Sequence, residues 1–311
     1  MRPTICGALC VAFAIVVLSY FTADAETLSL MDLQVMRSAL TAAQSGDWNR
    51  AYAEVAAISD PLPLKMLNWM DYARPGAAGR FPDIAEFIDS NPDWPAQKAL
   101  RSHAEEALAA ESDAVAAEWL KRHPPASAAG KVREAEIALN AGDQEGGNAA
   151  LRAIWIGADF VPLDERNFLV RHAASISPED NVKRVDRLLW DGQSEAAHRM
   201  LPLLPADYRA VAQARLALAT QVRNAEALVA RVPAQLRSDP GLVFEELRYL
   251  RKKEMSAAAV ELLLKHPNDL VRPAAWASER QAIAHTAGRT RSFGCLSSSS
   301  TAAAVISFLR R

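Results

Sequence analysis

The sequence predicts an all-α fold: a superhelical α-solenoid of antiparallel helix hairpins, tetratricopeptide-like but irregular. Three observations predict it. Alanine dominates the chain and β-branched runs are scarce, so helix formers prevail over strand formers. A glycine turn followed by a small-residue helix start recurs along the chain. A proline stop then closes many of the helices that these turns begin.

The N-terminus reads as a leader rather than as part of the fold. Arg2 supplies a short positive region, Ile5 to Phe21 is apolar and uncharged, and Ala23-Asp24-Ala25 places small residues at a cleavage site. Residues 1–25 are therefore expected to be a signal peptide, cleaved near Ala25 to release a periplasmic chain that starts at Glu26. An uncleaved anchor is the competing reading, because the apolar run is near the lower limit for a membrane span. A lipoprotein fits less well, since Cys10 lies inside the run behind a poor lipobox, Gly7-Ala8-Leu9. No stable membrane insertion is expected after cleavage.

Cysteine and charge narrow the function classes. Of the 3 cysteines, Cys6 and Cys10 leave with the leader, and Cys295 alone can build neither a disulfide framework nor a metal cluster. A net charge of −2 argues against a nucleic-acid partner. The chain has no HExxH, no G-x-x-x-x-G-K-[ST] and no G-x-G-x-x-G, so no metal and no cofactor is expected.

Helix signals are strong from His103 to Glu111 and from Ala212 to Ala219. Val182, Val185, Leu188 and Leu189 recur at helical spacing, with Lys183, Arg184, Asp186 and Arg187 between them. That pattern predicts an amphipathic helix with one buried stripe and a charged outer face. Ser177 can cap its start, Pro178 suits the first helical position, and Glu179 and Asp180 favour the positive end of the dipole. No convincing strand precedes residue 285.

The repeats punctuate these helices. Ser45-Gly46-Asp47, Ala141-Gly142-Asp143 and Asp191-Gly192-Gln193 each lead into a helix rich in small residues, with weaker copies at Glu111-Ser112-Asp113 and Lys253-Glu254-Met255. Glycine can end one helix in a left-handed conformation, and alanines let the next helix approach closely. Asn91-Pro92, His123-Pro124 and His266-Pro267 close three helices, each after an apolar pair and two mostly polar residues. Gly46, Gly142 and Gly192 are unevenly spaced, which speaks against a regular tetratricopeptide array. Residues 26–284 are thus expected to be the superhelical domain. Residues 285–311, with four consecutive serines at Ser297–Ser300, break the pattern and read as a flexible or frame-shifted tail.

No catalytic residue emerges. Glu105-Glu106 and Glu245-Glu246 are adjacent pairs in helical runs, expected on solvated faces rather than in the desolvated cleft a glycosidase acid needs. The 6 histidines are scattered without metal-ligand spacing, and no G-x-S-x-G elbow is present. The 7 tryptophans read first as wedges between helices. The alternative is that some face a concave surface and stack on sugars. Trp48, just after the Gly46 turn, and Trp94, between Pro92 and Pro95, are the candidates for binding.

Two segments carry a resemblance. Phe81 to Leu108 contains Phe87-Ile88-x-x-Asn91-Pro92-Asp93-Trp94-Pro95, and Val182 to Ala219 contains Arg184-Val185-Asp186-x-Leu188-Leu189-Trp190-Asp191-Gly192 followed by Ala196-Ala197. With Val271 to Arg280, they are similar to the helical superhelix of the soluble lytic murein transglycosylases. The resemblance covers about residues 30–284 and implies a ring or U of helices. In that family a goose-type-lysozyme-like domain follows, with one glutamate in a glutamate-serine motif. It cleaves between N-acetylmuramic acid and N-acetylglucosamine, leaving a 1,6-anhydro product. The sequence runs out before such a domain, so the resemblance reaches the scaffold and carries no catalytic residue. It implies a scaffold portion inactive alone, with peptidoglycan or cell-wall enzymes as partners. The alternative is a non-catalytic periplasmic adaptor solenoid.

Overall fold

A computed structural model describes residues 28–74, 80–266 and 271–292, with side chains as far as His285. Among the described residues there are 16 α-helices and no strand. The expected leader at 1–25 and the tail beyond Ser292 lie outside them. No described helix is long and apolar enough to cross a membrane. The chain divides into two compact units between Ala116 and Ala117.

The first unit contains α1 (Leu30–Gln44), α2 (Trp48–Val55), α3 (Pro61–Ala73), α4 (Phe81–Ser90) and α5 (Gln97–Ala107). The first three starts each have a side-chain cap. Ser29 Oγ accepts from the Asp32 amide at 3.1 Å, Asp47 Oδ1 from Arg50 at 3.1 Å, and Asp60 Oδ1 from Leu62 at 2.7 Å. α1 packs on α2, α2 on α3, α3 on α5 and α4 on α5. Ala39, Ala51 and Leu67 are fully buried in the α1–α3 core. A methyl group in place of a longer chain lets the helix backbones approach, which is why the restart after the turn is alanine-rich.

α6 (Asp113–Arg122) contains the division point. The second unit follows with α7 (Ala128–Asn140), α8 (Gln144–Gly157), α9 (Pro162–His172), α10 (Pro178–Trp190) and α11 (Ser194–Met200). It continues through α12 (Ala206–Thr220), α13 (Ala225–Ala230), α14 (Pro240–Lys252), α15 (Ser256–Lys265) and α16 (Pro273–Ser292). Within this unit α8, α10, α12, α14 and α16 stack in sequence, each on the next, while α7, α11, α13 and α15 pair with a chain neighbour. That alternation is the packing rule of an α-solenoid. α16 runs through Ala284 and His285 without a break, so the expected change of character there falls inside a helix.

The glycine turns form as the sequence predicts. Gly46, Gly142 and Gly192 have φ of 84°, 95° and 73°. The amide three residues past each helix donates back to a carbonyl of its last turn: Asp47 to Ala42 at 2.9 Å, Asp143 to Ala138 at 3.0 Å, and Gln193 to Leu188 at 2.8 Å. The weaker copy at Glu254 builds the same turn without glycine, with φ of 60° and Met255 donating to Leu250 at 2.9 Å. The copy at Glu111 does not: a 3-10 turn at Leu108–Ala110 precedes an extended Glu111 with φ of −92°. Gly147 answers a separate need. A Cβ there would lie 2.5 Å from Leu139 Cγ, so its absence lets α8 lie close against α7.

The proline stops also hold. Asn91 and His266 have ψ of 59° and 62°, out of the helical region that a following proline disfavours. α10 starts with the expected cap, completed as a capping box: Ser177 Oγ accepts from the Asp180 amide at 3.2 Å, and Asp180 Oδ2 accepts from the Ser177 amide at 2.9 Å. Val185 and Leu188 are buried, and Val182 and Leu189 pack against the same core. The outer-face expectation fails at Arg184, which is 0% exposed. It lies four residues before Leu188 and therefore on the buried stripe.

Candidate functional site

In the first unit the polar centre is Asp71, on the last turn of α3 and 1% exposed. It accepts from Tyr52 Oη at 2.9 Å, from Arg74 Nε at 2.5 Å and from Arg80 Nη1. Burial, reinforced by Asp71, pushes the Tyr52 hydroxyl well above its ordinary value. A carboxylate that receives a hydroxyl and two guanidinium donors is fixed in place, and its role here is to tie α2, α3 and the start of α4 together.

Both candidate tryptophans belong to this unit. Trp48 begins α2, is partly buried, and has the Arg74 guanidinium 4.8 Å from its ring centre. Trp94 sits in the α4–α5 connection, also partly buried, with Lys65 Nζ 4.5 Å from its ring centre and the Phe87 ring at 6.0 Å, nearly perpendicular. Trp69 donates its indole N–H to the Pro95 carbonyl at 2.8 Å, which holds the same connection. Trp48 and Trp94 thus each carry a cation on one face. Among the described residues no ring contact joins them.

The other tryptophans divide by burial. Trp119, Trp155 and Trp276 are fully buried, while Trp190 is partly buried between the Arg215 and Arg272 guanidiniums, each 5.5 Å from its ring centre. Trp155 stacks on Phe168 at 5.1 Å with an interplanar angle of 11°, and the Arg184 guanidinium lies 4.3 Å from its ring centre.

Arg184 organises the second unit's main polar cluster. Its Nη1 donates to the carbonyls of Trp155 at 2.5 Å and Ala158 at 2.8 Å, and its Nη2 donates to Glu165 Oε2 at 3.2 Å. Arg199 reaches Glu165 from α11, with Nε 3.1 Å from Oε1. Burial lowers the Arg184 pKa, and the Glu165 carboxylate works against that shift. Glu165 accepts from two guanidiniums, so it anchors α9 to α10 and α11 and has no free oxygen aimed at a substrate. Sequence reasoning missed this cluster. The available signal was an arginine at a core position of an otherwise apolar stripe.

Of the paired glutamates, Glu105 and Glu245 depart from the expected solvated faces and Glu106 keeps to one. Glu105 is 1% exposed, because it falls on the Ala104–Leu108 face of α5, whereas Glu106 is exposed. Glu245 is buried too and meets Arg248 Nη1 at 2.9 Å. Burial raises the pKa of Glu245 and of Glu246, opposed by Arg248 in the first case and by Arg237 in the second. Burial likewise pushes Glu136 up, but His172, 3.1 Å away, and Arg171 outweigh it and hold the carboxyl below its usual value. Among the described residues no group of three His, Cys, Asp or Glu is placed to hold a metal.

Glu246 gives a pH test. Its folded pKa is raised, so the native state binds the proton more tightly than the unfolded chain, and its negative charge lowers stability once the pH exceeds the usual carboxylate range. Glu246→Gln is expected to melt at a higher temperature than the parent at neutral pH. The gain should shrink as the pH falls toward the unfolded-state pKa. Thermal melts across that range would refute it by showing a gain independent of pH, or a loss.

No protein-family profile matches the sequence, and no curated protein sequence does. The chain is similar in structure to the 70 kDa soluble lytic transglycosylase of Escherichia coli, with a TM-score of 0.52 at 14% identity over 90% of this chain. It spans 44% of the length of that enzyme. At that identity the likeness speaks to the fold alone.

Proposed function

We propose that this chain is the helical scaffold of a periplasmic peptidoglycan lytic transglycosylase, inactive by itself. The observation that carries the reading is structural likeness to a soluble lytic transglycosylase along 90% of the chain. The sequence resemblance over Phe81–Leu108 and Val182–Ala219 points to the same family independently of that comparison. The polar clusters are consistent with a scaffold. Asp71 and Glu165 both spend their oxygens on neighbouring side chains, whereas glycan cleavage needs a general acid free to protonate a leaving group. In this reading the chain is exported by the leader at 1–25, and Trp48 and Trp94 are its aromatic contacts with glycan.

Co-sedimentation with purified sacculi tests the proposal, followed by analysis of the soluble fraction. The chain is expected to sediment with the sacculi and to release no anhydro-muropeptides. Trp48→Ala and Trp94→Ala are expected to weaken sedimentation. Release of anhydro products that a glutamate substitution abolishes would show that the chain is itself an enzyme. A chain that stays in the supernatant would turn the choice to the adaptor solenoid.

A further inference from the structure

The α4–α5 connection fixes Trp94 in place. The Trp94 amide donates to the Asn91 carbonyl at 3.1 Å, and Gln97 Nε2 donates to the same oxygen at 2.7 Å. Asn91 Nδ2 reaches back to the Phe87 carbonyl at 2.8 Å. Ala96 closes the connection at φ of 62°, a left-handed conformation that alanine adopts only where its surroundings impose it. An indole held this way loses little freedom when a ligand settles on it.

α3 meets the connection with two side chains one turn apart. Trp69 donates to the Pro95 carbonyl, and Lys65 places its ammonium 4.5 Å from the Trp94 ring centre. Among the described residues Lys65 makes no ion pair and no side-chain hydrogen bond, so its charge rests on the ring without an acidic partner. The neighbouring Asp93 is exposed, and its carboxylate stays beyond ion-pair reach of that ammonium. Trp48 differs here. Its cation, Arg74, is committed to Asp71 with Nε at 2.5 Å from Oδ1, so that ring brings no free charge.

A cation over an aromatic face is weakly held at a partly exposed site, and the four-carbon lysine stem lets the ammonium move. A sugar that takes the Trp94 face displaces it. With a neutral sugar, the ammonium loses the ring and gains no charged partner. With a carboxylate beside the sugar ring, it exchanges the indole for a charge-assisted hydrogen bond. We propose that Trp94 and Lys65 form a subsite for an acidic sugar, its ring on the indole and its carboxylate on Lys65. This rests on the glycan reading of Trp48 and Trp94, and it makes Trp94 selective for ligand charge and Trp48 indifferent to it. In peptidoglycan the carboxylate comes either from the lactyl group of N-acetylmuramic acid or from the peptide attached through that group.

The test uses the full chain and three fluorescein-labelled tetrasaccharides. The first is all N-acetylglucosamine and neutral. The second alternates N-acetylglucosamine with N-acetylmuramic acid bearing free lactyl carboxylates, and the third carries the peptides. Fluorescence anisotropy is expected to show an acidic strand binding about tenfold more tightly than the neutral one at low salt, an advantage that salt erodes. Preference for the second ligand assigns the lactyl carboxylate, and preference confined to the third assigns the peptide. Lys65→Gln should abolish the preference while neutral binding persists, and Lys65→Arg should keep it. Trp94→Ala should weaken acidic and neutral ligands alike and leave no preference, whereas Trp48→Ala should weaken both and leave the preference intact. Equal affinity for all three strands, or a preference that survives Lys65→Gln, would overturn the proposal and leave the glycan reading standing. Binding of none of them would sink that reading and this inference together.

Discussion

Arg184→Met is expected to destabilise the chain by about 3 kcal/mol, the lower end of the range for breaking a buried ion pair by removing one partner. The substitution keeps an unbranched side chain of similar length, so packing over Trp155 and Phe160 largely survives. What is lost is charge and donors. Glu165, 6% exposed, keeps only Arg199, and the Trp155 carbonyl loses its 2.5 Å side-chain donor. The Ala158 carbonyl is less affected, because Arg187 Nη2 also donates to it at 3.0 Å. Arg199 on the carboxylate is the reason to expect the lower end rather than about 5 kcal/mol. Removing both charges should cost much less, since an apolar pair of similar volume can replace a buried ion pair at little net cost. Urea denaturation of Arg184→Met and of Arg184→Met with Glu165→Leu would show the pattern as a deficit in the first and partial recovery in the second. A single variant as stable as the parent, or a double variant worse than the single, would contradict it.

The same residue shows where the sequence was readable and where it was not. Local chemistry wrote the solenoid plainly. Glycine turns at Gly46, Gly142 and Gly192, the Ser177 capping box and the Asn91 and His266 stops each act within a few residues, so their signals need no tertiary knowledge. Glu254 shows the limit of the glycine rule: the surrounding hairpin imposes the left-handed turn on a residue that does not favour it. Burial of polar side chains was the illegible part. Arg184, Glu105 and Glu245 look like surface charges by residue type, yet they lie on core-facing positions; Glu245 meets Arg248 on its own helix, whereas Arg184 is offset by Glu165, distant in sequence.

Trp155→Ala is expected to be the most damaging substitution in the chain, costing about 3–5 kcal/mol. Trp155 is 0% exposed and central to the α7–α12 core, where it touches the layer formed by Phe168, Val185 and Leu188. Truncation removes most of a large buried side chain and leaves a cavity that the stacked helices can only partly close. Two further losses come with it: the parallel contact with Phe168 at 5.1 Å, and the indole N–H donated to Asn181 Oδ1 at 2.9 Å. Leu188→Ala, fully buried in the same core but smaller and without a polar partner, should cost about 2–5 kcal/mol. Because Arg184 lies 4.3 Å from the Trp155 ring, the two sites are coupled. Combining Trp155→Ala with Arg184→Met should therefore cost less than the two single effects added together. Chemical denaturation of the three variants measures both statements. A loss below about 1 kcal/mol for Trp155→Ala would mean that the α8–α10 contact is not central to the core, since surface changes seldom exceed that. Strict additivity would mean that Arg184 draws its stability from Glu165 and the Trp155 and Ala158 carbonyls, with nothing from the Trp155 ring.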